Sequence, residues 1–290
     1  MKASACANRD FPGYSMSSTH FQFQSVEEAL AECSDMRRHM SPISSMELRS
    51  LGLLVENMEA SSPCSRSGLT VLHRSEEFEL RTMNDSLSGL PRTLTTYKIR
   101  GVAPQVLFHC VNSPMHRLRF DASLKRFEVL RQDNSLVDVI LTEISTPVGI
   151  SNREFVEWRR IYIPQSSEPR SKREYICHMR SCSDEILPPN GKRVQRGETW
   201  LSGYVFKWWL DENNACIGTQ IKIISQVDPK GNMPKALPKA LVVNHATKWV
   251  KRLIDYSRKF VSDMGLNMSM SDSEIDQALH LIPVESRLHK

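Results

Sequence analysis

GISNREFVEWRR, residues 149–160, opens like a loop and continues like a strand. Phe155, Val156 and Trp158 are side chains that a strand buries, yet Arg153, Glu154, Glu157, Arg159 and Arg160 crowd the same stretch. Strand side chains alternate between the two faces of a sheet. Phe155, Glu157 and Arg159 therefore share one face, while Val156 and Trp158 share the other. An arginine drawn into the interior needs an acceptor, because an unpaired buried charge is costly. A bulge before Phe155 would exchange the two sets. The reading of the chain turns on where that arginine points and what meets it.

The preceding run, VDVILTEI (residues 137–144), puts Val137, Val139, Leu141 and Glu143 on one face. Three apolar side chains mark that face as buried, and they carry Glu143 in with them. A carboxylate in such surroundings either takes up a proton or seeks a cation. The plainer alternative leaves Glu143 in solvent near the strand end and Arg159 in a cross-strand surface pair.

Outward from these two strands the chain divides by period. Residues 1–24 are rich in Ser and small side chains and are expected to be disordered. Residues 25–64 read as a helical segment. SVEEALAECSDMRRHM begins with a capping box at Ser25 and Glu28, and SSMELRSLGLLVENME repeats apolar positions at helical spacing. From residue 65 the period becomes two. LTVLHRS, EEFELRTM and TLTTYKIRG predict a meander of short strands. APQVLFHCVN reads as a helix opened by Pro104, and HRLRFDASLKRFEVLRQDN runs from helix into strand. REYICHMRSC, ETWLSGYVFKWW and CIGTQIKIISQV complete the strands. From about Pro234 to Val261, residues Val242, Ala246, Trp249, Val250, Leu253, Ile254, Ser257 and Phe260 line one side of a long amphipathic helix. Residues 65–262 thus form one α+β domain, an antiparallel sheet closed by a C-terminal helix. Residues 263–290 are expected to be a flexible tail, with a short helix in SDSEIDQALHLI.

Composition narrows the function. The chain has 290 residues, 40% hydrophobic and 24% charged, and a net charge of +5. That excess suits an anionic surface, but no dense basic stripe points to nucleic acid. No stretch reaches the ~20 apolar residues of a membrane-spanning helix, and the N-terminus lacks a secretory apolar core. Seven scattered cysteines, with only Cys177 and Cys182 close together beside His178, give no zinc pattern. They read as buried thiols of a cytoplasmic protein. No G-x-S-x-G or H-E-x-x-H motif occurs, so the chain reads as non-enzymatic, without metal or cofactor.

Four motifs in order resemble the START family of lipid-transfer domains. Arg117 to Asp121, RLRFD, resembles R-x-x-W-D, with Phe120 for the tryptophan. TPVGISNREFVEWRR resembles the P-x-S-x-R-D-F-V segment. ILPPNGKRVQRG resembles the P-P-x-x-G-x-V-R turn, and VDPKGNMP the D-P-G-G-x-x-P that precedes the final helix. The resemblance implies a helix-grip fold, a curved antiparallel sheet wrapped around the C-terminal helix with an internal tunnel for one lipid. It further implies that Glu143 and Arg159 face each other in the tunnel as a polar anchor, as in sterol carriers. Leu141, Phe155, Val242, His245, Ala246, Trp249 and Arg117 are the remaining expected lipid contacts. For His245 the plainer alternative is a core histidine.

Thr142 and Phe155 occupy two positions where choline-binding relatives use aromatic cages, so a sterol or other weakly polar lipid is the expected ligand rather than phosphatidylcholine. PQSSEPRSKRE (residues 164–174) falls at the family's gating loop. Its Arg170, Lys172 and Arg173, with Lys230, Lys235 and Lys239, read either as a positive rim that docks peripherally on anionic membranes or as an ordinary solvated loop. A phospholipid is the alternative ligand, and the competing function is a lipid sensor or scaffold that binds without transferring, with residues 25–60 engaging a protein partner.

Overall fold

Two long strands, β9 (Glu198–Leu210) and β10 (Cys216–Asp228), form the spine of the sheet. Their turn is set by Asp211, whose Oδ1 accepts from the backbone N–H groups of Asn213 at 2.9 Å and Ala215 at 2.8 Å. Asn214 adopts the left-handed conformation (φ 61°) that this residue type tolerates better than most. On one side β10 pairs with β3 (Pro91–Arg100), followed by β2 (Phe78–Asn84) and β1 (Leu69–Arg74). On the other side β9 pairs with β7 (Glu174–Ser181), then β6 (Asn152–Tyr162), β5 (Val137–Ile144) and β4 (Leu124–Asn134). A short β8 (Val194–Arg196) runs parallel to β6. This computed structural model describes Leu51 and residues 69–84, 89–134, 136–147, 149–165, 167–189, 194–231 and 237–281, with the side chains of Leu69 and of 237–245 excepted.

The helices lie against one face of this sheet. α1 (Pro104–Asn112) and α2 (Pro114–Phe120) each start at a proline, whose fixed φ suits a first helical turn. The long α3 (Leu237–Met264) packs against both and against β3. Its stripe is the expected one where side chains are described: Trp249, Leu253 and Ser257 are buried, while Lys248, Lys251, Arg252, Arg258 and Lys259 are exposed. Tyr97, Phe108, Tyr175, Phe206, Trp249 and Leu253 belong to the main core between helices and sheet.

Two smaller apolar clusters cover the outer face. In one, Val137, Val139 and Leu141 pack with Val156 and Trp158. In the other, Leu51 packs with Leu94, Ile176, Leu201, Val205 and Ile224. Leu51 belongs to the expected N-terminal helical segment; it is helical and fully buried, and so is engaged by the domain itself. Gly203 makes room for it, since a Cβ there would fall 2.4 Å from Leu51 Cδ2. The rest of residues 1–64, including the expected partner-binding surface, lies outside the described residues.

Residues 263–281 are not the flexible tail that composition suggested. Ser271 and Glu274 form a capping box that starts α4 (Asp272–Ala278). Leu266, Ile275 and Leu279 then bury into the main core, and a fully buried aliphatic side chain is worth about 1.5–3 kcal/mol. The expected short helix thus forms and docks. Residues 282–290 lie outside the described residues.

Candidate functional site

β5 and β6 pair so that Asp138 lies opposite Arg159, Ile140 opposite Glu157, Thr142 opposite Phe155, and Glu143 opposite Glu154. Directly opposed residues in an antiparallel pair project to the same face. Asp138, Ile140, Thr142, Phe155, Glu157 and Arg159 therefore point inward together, and no bulge interrupts this pair. Phe155, Glu157 and Arg159 thus share the inner face, without the bulge that would have exchanged the two sets.

The expected face for Glu143 is not the observed one. Val137, Val139 and Leu141 are buried, but on the outer side against Val156 and Trp158. Glu143 goes with them, is only partly buried, and accepts a hydrogen bond from Asn152 Nδ2 at 2.7 Å. Glu143 and Arg159 do not meet, and Leu141 does not face the interior space. Residues 137–141 are all buried, so apolar character could not tell the inner face from the outer one.

The partner of Arg159 is Asp138. Arg159 Nε donates to Asp138 Oδ1 at 2.9 Å and Nη2 to Oδ2 at 2.5 Å, while Nη1 donates to the Asn112 carbonyl at 2.6 Å. The fork of the guanidinium matches both carboxylate oxygens, the geometry that makes such pairs strong. Arg117, on α2, is held by Asp121 one turn on, with Nε to Oδ2 at 2.9 Å. Asp121 also accepts from Trp249 Nε1 at 3.0 Å and from the Ser123 hydroxyl at 2.6 Å. The guanidinium of Arg117 sits 5.1 Å from the Trp249 ring centroid, a cation–π contact in a buried setting.

These groups surround a cavity of about 290 Å³ between α1, α2 and the inner face of the sheet. Val111, Phe127, Ile140, Phe155 and Met179 give it apolar walls; Arg117, Glu157, Arg159, Thr199 and Tyr204 give it a polar side. A second space of about 260 Å³, lined by Val129, Leu136, Asp138 and Ile161 among others, also borders Arg159. The Arg159–Asp138 pair stands between the two.

Glu157 is the unpaired member of the group. It enters none of the ion pairs among the described residues, and burial pushes its carboxyl above the usual carboxylate range. A hydrogen bond from Thr199 and the positive charges of Arg159 and Arg117 act in the other direction without overcoming burial. Sequence reasoning placed Glu157 on the face of Arg159 but passed over it as a site residue, and missed Asp138 altogether. The signal for Asp138 was its place as the only charge inside the run VDVIL.

Trp249 and Ala246 stand behind the cavity rather than lining it. Trp249 holds Asp121 and packs on Phe120, Tyr97 and Tyr204, and the Ala246 carbonyl accepts from the Tyr97 hydroxyl at 2.9 Å. The side chains of Val242 and His245 lie outside the described residues.

A family model, START domain, matches residues 75–261. The chain belongs to the START domain family. Its fold is similar to that of human STARD10, with a TM-score of 0.65 at 17% identity over 79% of this chain and 85% of that one. It is also similar to human StAR-related lipid transfer protein 5 (TM-score 0.59, 12% identity, 75% of this chain and 99% of that one). A STAR-related lipid transfer protein from Xanthomonas axonopodis gives a TM-score of 0.52 at 15% identity, over 66% of this chain and 99% of that one. No curated protein sequence matches the chain.

In this START domain the positive rim expected beside the cavity is largely neutralised. Arg173 is fully buried and pairs with Asp272 and, at 3.1 Å, with Asp276 of α4. Arg170 pairs with Asp272 at 3.0 Å and lies 4.7 Å from the Trp208 ring centroid. Lys230 bridges Glu198 at 2.9 Å and Asp228 at 2.8 Å, and Lys172 remains exposed. Lys235 and the Lys239 side chain lie outside the described residues. Arg170 and Arg173 are therefore tied to α4, while Lys172 between them stays open to solvent.

Proposed function

We propose that this START domain binds one weakly polar lipid, a sterol being the favoured class, and carries it between membranes without chemical change. One observation supports the ligand class above the rest: among the described residues, the polar side of the cavity has no cation to spare. Arg117 is matched by Asp121 and Arg159 by Asp138, and Glu157 is surplus. An anionic headgroup brought into such a space would lose its water without gaining a free positive partner. A neutral lipid with one hydroxyl asks only for hydrogen bonds and apolar walls. The volume of about 290 Å³ falls just below the ~300–1,000 Å³ range of small-molecule sites, which leaves room for one compact hydrophobe and little else.

Transfer requires contact with a bilayer. Lys172 and the exposed cations of α3, such as Lys251 and Arg252, are available for that contact, each worth ~1 kcal/mol near an anionic surface.

The test is native mass spectrometry of the purified protein, followed by vesicle-to-vesicle transfer of the lipid found. A neutral single lipid that is transferred supports the proposal; a phospholipid with an anionic headgroup as the only occupant overturns the ligand class. The second reading, a sensor that binds without transferring, is favoured by the ion pairs of Arg170 and Arg173, which tie the loop to α4. Tight binding with no transfer would select it.

A further inference from the structure

We infer that Glu157 makes the cavity selective for a ligand whose buried polar group is an uncharged hydroxyl. The inference rests on the lipid-binding reading above and assigns to one residue the choice among lipids.

Glu157 projects inward from the middle of β6, opposite Ile140, and lines the cavity. The groups that face it are Arg117 from α2, Arg159 from its own strand, Thr199 and Tyr204 from β9, and Cys177 from β7. Of these, Arg159 directs its donors to Asp138 and to the Asn112 carbonyl. The Arg117 Nε donates to Asp121. Glu157 is left with Thr199 and with whatever enters the cavity.

An ionised carboxyl only accepts hydrogen bonds, and a protonated one both donates and accepts. A hydroxyl is the ligand group that satisfies either state, giving its proton to the carboxylate or taking one from the acid. A ketone pairs only with the protonated form. A sulfate pairs only with the protonated form and adds a charge that no free guanidinium among the described residues balances. Burial holds the Glu157 carboxyl up towards protonation, so the ketone is disfavoured progressively as pH rises, while the hydroxyl is not.

The experiment titrates three fluorescent sterols into the full chain at pH 6 and pH 8: the free 3-hydroxyl, the 3-ketone and the 3-sulfate. In the wild type the hydroxyl compound binds with similar affinity at both pH values. Where Glu157 is ionised the ketone binds at least about tenfold more weakly than the hydroxyl, in keeping with the penalty for an unfilled buried acceptor, and the gap narrows as pH falls. The sulfate is weaker still.

Glu157→Gln keeps an acceptor and gains permanent donors, so it binds hydroxyl and ketone alike at both pH values. Glu157→Leu binds both weakly and without preference. A change in general packing would lower all affinities together and leave the wild-type ratios intact. Equal binding of hydroxyl and ketone at pH 8 in the wild type, or tightest binding of the sulfate, overturns the inference while leaving lipid binding standing. Failure of all three to bind overturns the sterol reading on which it rests.

Discussion

Arg159 and Asp138 face each other across the β5–β6 ladder and share two hydrogen bonds, at 2.9 and 2.5 Å. The pair lies between two interior spaces, so its worth is measured by what remains when one member goes. Removing one partner of a buried pair typically costs about 3–5 kcal/mol, because the other charge is stranded. Asp138→Ala is expected to destabilise the domain by about that much in urea unfolding. Asp138→Leu combined with Arg159→Met should recover most of the loss. If the double substitution is worse than either single one, the pair is more than a matched couple.

Glu143, on the outer face, gives the contrasting result. Its carboxylate accepts from Asn152 at the edge of solvent. Glu143→Ala is expected to change stability by no more than about 1 kcal/mol, the net value of a typical hydrogen bond. Lipid affinity should be unaffected. A clear loss of affinity would mean that the β5 register differs from that described.

Gly203 and Leu51 fit together on the outer face, and each depends on the other. Gly203→Ala drives a methyl group towards Leu51 Cδ2 and the Cys177 carbonyl, which is expected to cost about 1–3 kcal/mol. Leu51→Ala leaves a cavity and is expected to cost about 2–5 kcal/mol. Because they share a contact, the double variant should lose less than the sum. Strict additivity in thermal or urea unfolding would mean that Leu51 does not pack there in solution.

Asp276 provides a pH signature. Burial raises its carboxyl from 3.8 to about 6, against the opposing pull of Arg173 and the Tyr175 hydroxyl, with Asp272 adding to the rise. The folded-state value is the higher one, so the folded protein holds a proton that the unfolded chain has released. This contribution favours folding fully below pH 3.8 and is lost as pH rises through about 6. The stability of the wild type relative to Asp276→Asn should therefore fall over that interval. A difference that is flat or rising between pH 4 and 6.5 would contradict it.

How much of this was legible in the sequence depends on which constraint each residue answers to. The strands, α1, α2 and the exposed cations of α3 follow from periodicity and proline placement, which are local. Alternation grouped Phe155, Glu157 and Arg159 against Val156 and Trp158, and only the family resemblance, which put Arg159 in the tunnel, said which set faces inward, since β6 is buried on both sides. The face of β5 was not legible, because both of its sides are buried and Val139 is as apolar as Ile140. Only the pairing of Asp138 with Arg159 distinguishes them, and pairing is a property of two strands together. The tail was misjudged for a similar reason. Asp272 and Asp276 look like solvent residues until Arg170 and Arg173, about a hundred positions earlier, are set against them.

That last clasp bears on how the molecule should be handled. The recurring family sequence ends at residue 261, but Asp272, Asp276, Ile275 and Leu279 all come later. A fragment trimmed to the recurring part would strand the Arg173 guanidinium in a dry position and uncover the apolar bed of the last helix. Poor yield or clumping of such a truncated piece would then reflect where it was cut, and would say nothing against the cargo it was meant to hold.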